Sequence, residues 1–364
     1  MSNSFICKAP WVSMAFQPEG VAPCCLYELD ELETFSSSKE QFKNIKETFL
    51  AGQIPSGCNK CSQAFFENRP GYHRGFDRYT TDFKSTSIQE INVKSNNLCN
   101  LACRSCGPHF SSKWEEEFSS GIKIIKDTQL FDKLKQLDFS KLKTIRFAGG
   151  EPTLTGDHVM ILQELIEIGN TDIHITLSTN LHSVTYKNVD LIELWKQFPN
   201  LQLQLSIDAI EEKARAVRSG TNWKLVTENL QKIIDNQISC YFNITVSALN
   251  IWFLEETIAW LNTNFKNIKI NFFILSGPDI LNVQVIPDEY KLDINNMLDR
   301  CIVKIPEMVT IKQHFNLAST SELWEHFLIY NLILDATRQE TLFNNLPIKK
   351  NLIDRWTQLE RRNK

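Results

Sequence analysis

The sequence predicts an α/β fold: a partial (β/α)6 barrel, preceded by a small cysteine-rich module and followed by a helical extension. Three observations predict it. From about residue 86, short β-rich runs alternate with helical runs, the pattern of βα units that build a parallel sheet. Within these runs, polar residues occupy alternate positions: in "LQLQLSID", Leu201, Leu203, Leu205 and Ile207 share one face, while Gln202, Gln204, Ser206 and Asp208 share the other. A parallel sheet covered by helices on both sides is apolar on both faces, so a polar face predicts a curved sheet with helices outside and a wet interior. Finally, seven of the ten cysteines fall into two groups, one before the first βα unit and one inside it.

The elements follow in order. Residues 1–84 carry turn-forming stretches such as "GQIPSGCNKC" and "ENRPGYHRG", with a short amphipathic helix near 39–51. Residues 85–287 hold the six expected strands: "IQEINV", "KTIRFA", "DIHITLS", "LQLQLSI", "CYFNITV" and "IKINFFIL". Helices are expected near 110–120, 155–168, 189–198, 223–236 and 254–263. Thr155 is placed to cap the second of these, and Gly169 suits the turn that ends it. In "DIHITLSTN", Ile173, Ile175 and Leu177 oppose His174, Thr176, Ser178 and Asn180. Ser178, Asn180, Ser206 and Asp208 thus sit at the C-terminal ends of strands, where barrels of this kind gather their chemistry. Residues 288–364 read as mostly helical, packing against the edge of the sheet.

Composition narrows the function. With 364 residues, 42% hydrophobic and 23% charged, the chain is an ordinary globular one. A net charge of −4 gives no reason to expect nucleic acid or an acidic membrane as partner. No apolar run approaches a membrane span, and "MSNSFICKAPW" lacks the basic-then-apolar pattern of a secretion signal, so a cytoplasmic protein is expected. Clustered cysteines in a reducing compartment bind metal or do redox chemistry more often than they form disulfides.

"NNLCNLACRSCGPH" places Cys99, Cys103 and Cys106 within eight residues. Three thiolates do not complete a four-coordinate zinc site, although they could be part of one. They can hold three irons of a [4Fe–4S] cube and leave the fourth iron open to a substrate or cosubstrate.

This C-x-x-x-C-x-x-C spacing after a first strand resembles the signature of the radical S-adenosylmethionine (SAM) superfamily, whose members have a partial TIM-like barrel. "AGGEP" after the second strand resembles that family's GGEP motif. The resemblance implies that Gly149, Gly150, Glu151 and Pro152 border the SAM amino group, with the Glu151 carboxylate holding it. "STN" and "SID" resemble the positions that touch the ribose and methionine parts, which implies Ser178, Asn180, Ser206 and Asp208. Arg218 resembles the arginine that pairs with the methionine carboxylate. Ser105 departs from the bulky residue that usually precedes the third cysteine.

Cys7, Gly20, Cys24, Cys58 and Cys61 resemble the arrangement of SPASM/twitch modules, which hold an auxiliary [4Fe–4S] cluster; in familiar members the module follows the barrel, whereas here it precedes it. Structural zinc suits the same four cysteines. Cys25 could replace Cys24 as a ligand, be a free thiol near substrate, or be buried. Strand parity puts Cys240 with Phe242, Ile244 and Val246 on the helix-facing side, and Cys301 falls on an expected helix; both read as core.

The resemblance implies an oxidoreductase in which a reduced cluster at Cys99, Cys103 and Cys106 cleaves SAM to a 5′-deoxyadenosyl radical that takes a hydrogen atom from a substrate. A peptide or protein substrate, oxidised or cross-linked, is the favoured expectation. Alternatives are a small-molecule dehydrogenase acting on an amino sugar or alcohol, and a degenerate metal-stapled binding protein. An electron donor such as flavodoxin or ferredoxin is implied as a partner.

Overall fold

The structure is a computed structural model that describes residues 5–17, 20–28, 38–67, 71–94, 96–122, 134 and 137–348. Each of the six β-rich runs is a strand. Two further strands come first: β1 (Ser13–Gln17) and β2 (Gly20–Ala22). The six follow as β3 (Glu90–Val93), β4 (Thr144–Phe147), β5 (His174–Thr179), β6 (Leu201–Ser206), β7 (Cys240–Val246) and β8 (Ile270–Ile274). They form one sheet in the order β8-β7-β6-β5-β4-β3-β1-β2. All neighbours are parallel except β1 and β2. A simple progression of parallel neighbours, each joined by a helical crossover, is what the alternating pattern dictates.

Register explains the two faces. Ile91, Ile145 and Ile175 lie side by side and are buried beneath the helices. One residue along, Asn92, Arg146, Thr176 and Gln202 form a polar row on the opposite face. Further rows add Ser178 beside Gln204 and Tyr241, then Ser206 beside Asn243. Cys240 keeps the helix-facing parity and is half-buried, and Cys301 is buried on the helix Asp288–Lys304.

The sequence reading missed β1. Its parallel pairing with β3 matches Ser13 to Glu90 and Ala15 to Asn92, so the cysteine-rich segment adds a seventh parallel strand to the sheet. Only five residues long, "SMAFQ" has small Ser13 and Ala15 on its inward face and shows little of the alternation that marked the longer strands.

The expected helices are present as Ser38–Leu50, Ser112–Phe118, Asp157–Glu167, Leu191–Trp195, Trp223–Asp235 and Leu254–Asn264. Thr155 does not cap the helix after β4. It follows a 3-10 turn, Pro152–Leu154, its hydroxyl donates to the Pro152 carbonyl at 3.3 Å, and Gly156 takes the cap position. The C-terminal segment contributes helices Asp288–Lys304, Val309–Phe315 and Trp324–Arg338. The expected helical character of 349–364 lies outside the described residues, as do residues 1–4 of the N-terminal module. Among the described residues, no helix is long and apolar enough to cross a membrane.

Candidate active site

The loop leaving β3 carries Cys99, Cys103 and Cys106, and the GGEP turn leaving β4 is packed directly on it. The Gly150 amide donates to the Asn96 carbonyl at 3.2 Å, and the Glu151 amide donates to the Leu98 carbonyl at 2.8 Å. A Cβ on Gly150 would fall 2.1 Å from the Leu98 oxygen, so only glycine permits this approach. Ser112 holds the other side of the loop, its hydroxyl 3.2 Å from both the amide and the carbonyl of Cys99. Gly150→Ala is therefore expected to cost about 1–3 kcal/mol through overpacking, read as a lower urea midpoint, and to reduce the iron retained per chain.

The three thiols are electrostatic neighbours. Burial, then the nearby Cys103, pushes the Cys99 and Cys106 thiols up to about 12; burial raises Cys103 as well. Their thiolates thus need compensating positive charge, which bound metal supplies. Part is already there: the Arg218 guanidinium acts on Cys103 and Cys106, and Lys94 on Cys106. The glycine cradle, three thiols on one loop and adjacent cations fit a cluster held by three cysteines. Among the described residues, no three His, Cys, Asp or Glu side chains are arranged as a metal-ion site in their own right.

The structure engages Glu151 differently from the expectation that its carboxylate holds an amino group. The side chain is 2% exposed. One oxygen accepts from the Thr153 amide at 3.2 Å, the Thr153 hydroxyl at 2.8 Å and the Thr179 hydroxyl at 2.7 Å; the other accepts from the Asn180 amide at 2.7 Å. Burial holds its carboxyl above the ordinary range despite these donors. Glu151 thus ties the GGEP turn to the end of β5, while Pro152 starts the 3-10 turn behind it.

Asn180 extends the same bracing, donating to the Asn100 side-chain oxygen in the cysteine loop at 2.8 Å. Asp208 and Arg218, expected as separate SAM contacts, are paired with each other at 2.8 Å. The second Asp208 oxygen accepts from the Thr245 amide at 2.7 Å. Burial opposes the charge on Arg218, but Cys103 and Asp208 outweigh it and hold its proton firmly. Ser178 donates to Gln204 at 3.0 Å on the polar face, and Ser206 is half-buried on that face.

Arg104, between Cys103 and Cys106, was not singled out by sequence. It is fully buried and reaches into the C-terminal segment. Its guanidinium donates to the Ala216 carbonyl at 2.6 Å, to the backbone and side-chain oxygens of Asn331 at 3.2 Å each, to Asp335, and to Glu340 at 3.1 Å. Its own carbonyl accepts from the Tyr330 hydroxyl at 2.7 Å, and the Trp114 indole donates to the Cys103 carbonyl at 2.9 Å. Trp114 in turn stacks on Tyr330 and lies under the Arg338 guanidinium, 4.6 Å from its ring centre. The helix Trp324–Arg338 therefore clamps the cysteine loop rather than merely covering a sheet edge.

Cys7, Cys24, Cys58 and Cys61 line one cavity, together with Tyr72 and Phe76. A Cβ on Gly57 would lie 2.6 Å from the Glu28 carbonyl oxygen, so glycine is required where the Cys58 turn meets the chain following Cys24. Burial pushes Cys7 and Cys58 up to about 12 and raises Cys24 further. Cys25 is not among the residues lining that cavity; burial, then the nearby Cys25, pushes the Tyr72 hydroxyl up.

Compared with known proteins, residues 93–261 match the family described as the Radical SAM superfamily. A 7,8-dihydro-6-hydroxymethylpterin dimethyltransferase of Methanocaldococcus jannaschii is 30% identical over 155 residues, 42% of this chain and 28% of that protein. An Endonuclease MutS2 of Borreliella burgdorferi is 26% identical over 48% of this chain and 24% of its own length. A GTP 3′,8-cyclase of Haemophilus ducreyi is 27% identical over 49% of this chain and 50% of its own length. The chain thus spans half or less of each of these relatives. Among solved structures, anSMEcpe with bound AdoMet and a peptide aligns at 18% identity and a TM-score of 0.42, over 58% of this chain and 59% of that one. Residues 93–261, the stretch that matches the Radical SAM superfamily, hold the cysteine loop and the GGEP turn packed against each other.

Proposed function

We propose that this protein is a radical SAM oxidoreductase that abstracts a hydrogen atom from a peptide or protein substrate and oxidises or cross-links it. The observation that carries the reading is the seating of Gly150 and Glu151 on the loop of Cys99, Cys103 and Cys106. When bound, a reduced [4Fe–4S] cluster with SAM on its open iron supplies a 5′-deoxyadenosyl radical. The chain's own residues place and shield that chemistry. Cys99, Cys103 and Cys106 would hold the cluster. The backbone of Gly149 and Gly150, with Ser178, Asn180, Ser206, Asp208 and Arg218 around the strand ends, would border SAM. Glu151 and Asn180 keep the three loops in fixed register, since their side chains tie one loop to the next. Cys7, Cys24, Cys58 and Cys61 would hold an auxiliary [4Fe–4S] cluster, the acceptor of the electron left on the oxidised substrate. A flavodoxin or ferredoxin would be the reductant.

A peptide is favoured over a small molecule because β8 and β2 are the two edges of the sheet and, among the described residues, are not paired with each other. The polar face is then reached from the side, as an extended chain requires. The relatives named for a pterin and for GTP keep a small-molecule dehydrogenase as the second reading.

Anaerobically reconstituted protein, reduced with dithionite and given SAM, is expected to release 5′-deoxyadenosine and methionine, and to show a SAM-dependent change in its cluster paramagnetic resonance. Absence of both would make the domain a metal-stapled binding protein. Loss of a pair of hydrogens from a peptide, read by mass spectrometry, would separate the peptide reading from the small-molecule one.

A further inference from the structure

We infer that Arg146, with Arg78 beside it, anchors a substrate carboxylate on the polar face of the sheet; this rests on the peptide reading above. Glu90 is the centre of the cluster and is 2% exposed. One of its oxygens accepts from the Arg78 guanidinium at 2.6 Å and the Tyr79 hydroxyl at 2.7 Å; the other accepts from Arg146 Nε at 3.3 Å and Asn92 at 3.4 Å. One carboxylate is thereby shared between two guanidiniums, leaving one positive charge in excess. Both arginines keep open surface: their side chains are 40% and 47% exposed for Arg146 and Arg78.

Placement gives this charge a use. Arg146 lies on the inward row with Asn92 and Thr176. It precedes Gly149 by three residues, about 10 Å along the strand at ~3.3 Å per residue, so a group held there leaves the next few atoms of a substrate near the GGEP turn. The charge of Arg146 reaches the hydroxyls of both Tyr72 and Tyr241. Across the face, Asn243 on β7 turns a buried side-chain oxygen inward that has no hydrogen-bond partner among the described residues. That oxygen is an acceptor for a peptide N–H, the second group an acidic peptide would present.

The charge count selects among anions. A single excess positive charge beside a retained carboxylate suits a monoanion, and a guanidinium matches a carboxylate with two parallel hydrogen bonds. A phosphate dianion would meet repulsion from Glu90.

The test uses holoenzyme with SAM bound and phenylglyoxal labelling of Arg146 read by mass spectrometry. The probes are acetyl-Ala-Glu-Ala-amide, its Gln counterpart, glutarate and inorganic phosphate. The Glu peptide is expected to protect Arg146 at a concentration about ten- to a hundredfold lower than the Gln peptide. In calorimetry, Arg146→Met is expected to abolish that preference and Arg146→Lys to retain part of it. No protection by either carboxylate, protection by the Gln peptide equal to a measurable protection by the Glu peptide, stronger protection by phosphate, or a preference that survives Arg146→Met would each overturn the inference. Protection by glutarate but not by the Glu peptide would leave the carboxylate anchor standing and remove the peptide reading beneath it.

Discussion

Replacing Arg104 with methionine is expected to cost the fold about 3–5 kcal/mol and to strip most of the iron from the loop of Cys99, Cys103 and Cys106. Arg104 is fully buried, and its guanidinium is shared by Asp335 and Glu340, which are 13% and 6% exposed. Removing the arginine leaves both carboxylates buried without their cation. It also frees the Asn331 and Ala216 oxygens, each a lost buried acceptor. The same argument predicts a rescue. Arg104→Met combined with Asp335→Leu and Glu340→Gln removes the stranded charge and is expected to recover much of the stability, because apolar replacement of a whole buried ionic network is often neutral. The Gln still accepts the Ser219 hydroxyl that Glu340 now holds. Stability would be read from anaerobic urea unfolding and cluster content from iron analysis. If the single variant shifts stability by less than about 1 kcal/mol, the range of an exposed pair, the clamp has no energetic weight. If the triple variant regains stability but not iron, the cluster loop depends on Arg104 for its shape beyond its contribution to folding.

That clamp marks where the sequence stopped being readable. The six parallel strands were legible because alternation in runs such as "LQLQLSI" is a local signal, and the cysteine loop stood out because its three cysteines lie within one short segment. The GGEP turn was found in the same way. Which way its glutamate turns was not, since that depends on Thr179 and Asn180, donors that only the packing of β5 beside β4 brings within reach. Arg104 sits beside Cys103, yet the side chains it bonds, Asn331, Asp335 and Glu340, lie 227 to 236 residues further on, and no pattern near it points to them. The strand β1 was hidden for a related reason: its signal is a pairing with β3, more than seventy residues away. Arg146 appears in "KTIRFA" as one polar residue among apolar ones; only register shows that it shares a face and a carboxylate with Asn92 and Arg78.

The two cysteine groups are expected to separate cleanly when each is removed. Wild-type protein reconstituted without oxygen should carry about eight irons, falling to about four in either Cys99→Ala/Cys103→Ala/Cys106→Ala or Cys7→Ala/Cys24→Ala/Cys58→Ala/Cys61→Ala. The remaining paramagnetic signal should respond to SAM only in the second variant, because only the three-cysteine site leaves a coordination position free. Structural consequences should also differ. The hairpin β1–β2 lies between Cys7 and Cys24 in the chain, so a metal held by Cys7, Cys24, Cys58 and Cys61 closes that hairpin onto the segment that follows it. Metal binding at a small site of this kind supplies folding free energy directly. Without it, the first 84 residues should become protease-sensitive while β3 to β8, joined through their own parallel ladder, resist. Zinc retained in the three-cysteine variant, with iron absent, would make the N-terminal module a structural staple. In that case the substrate's electron would need another acceptor, and the proposed oxidation would lose its second half.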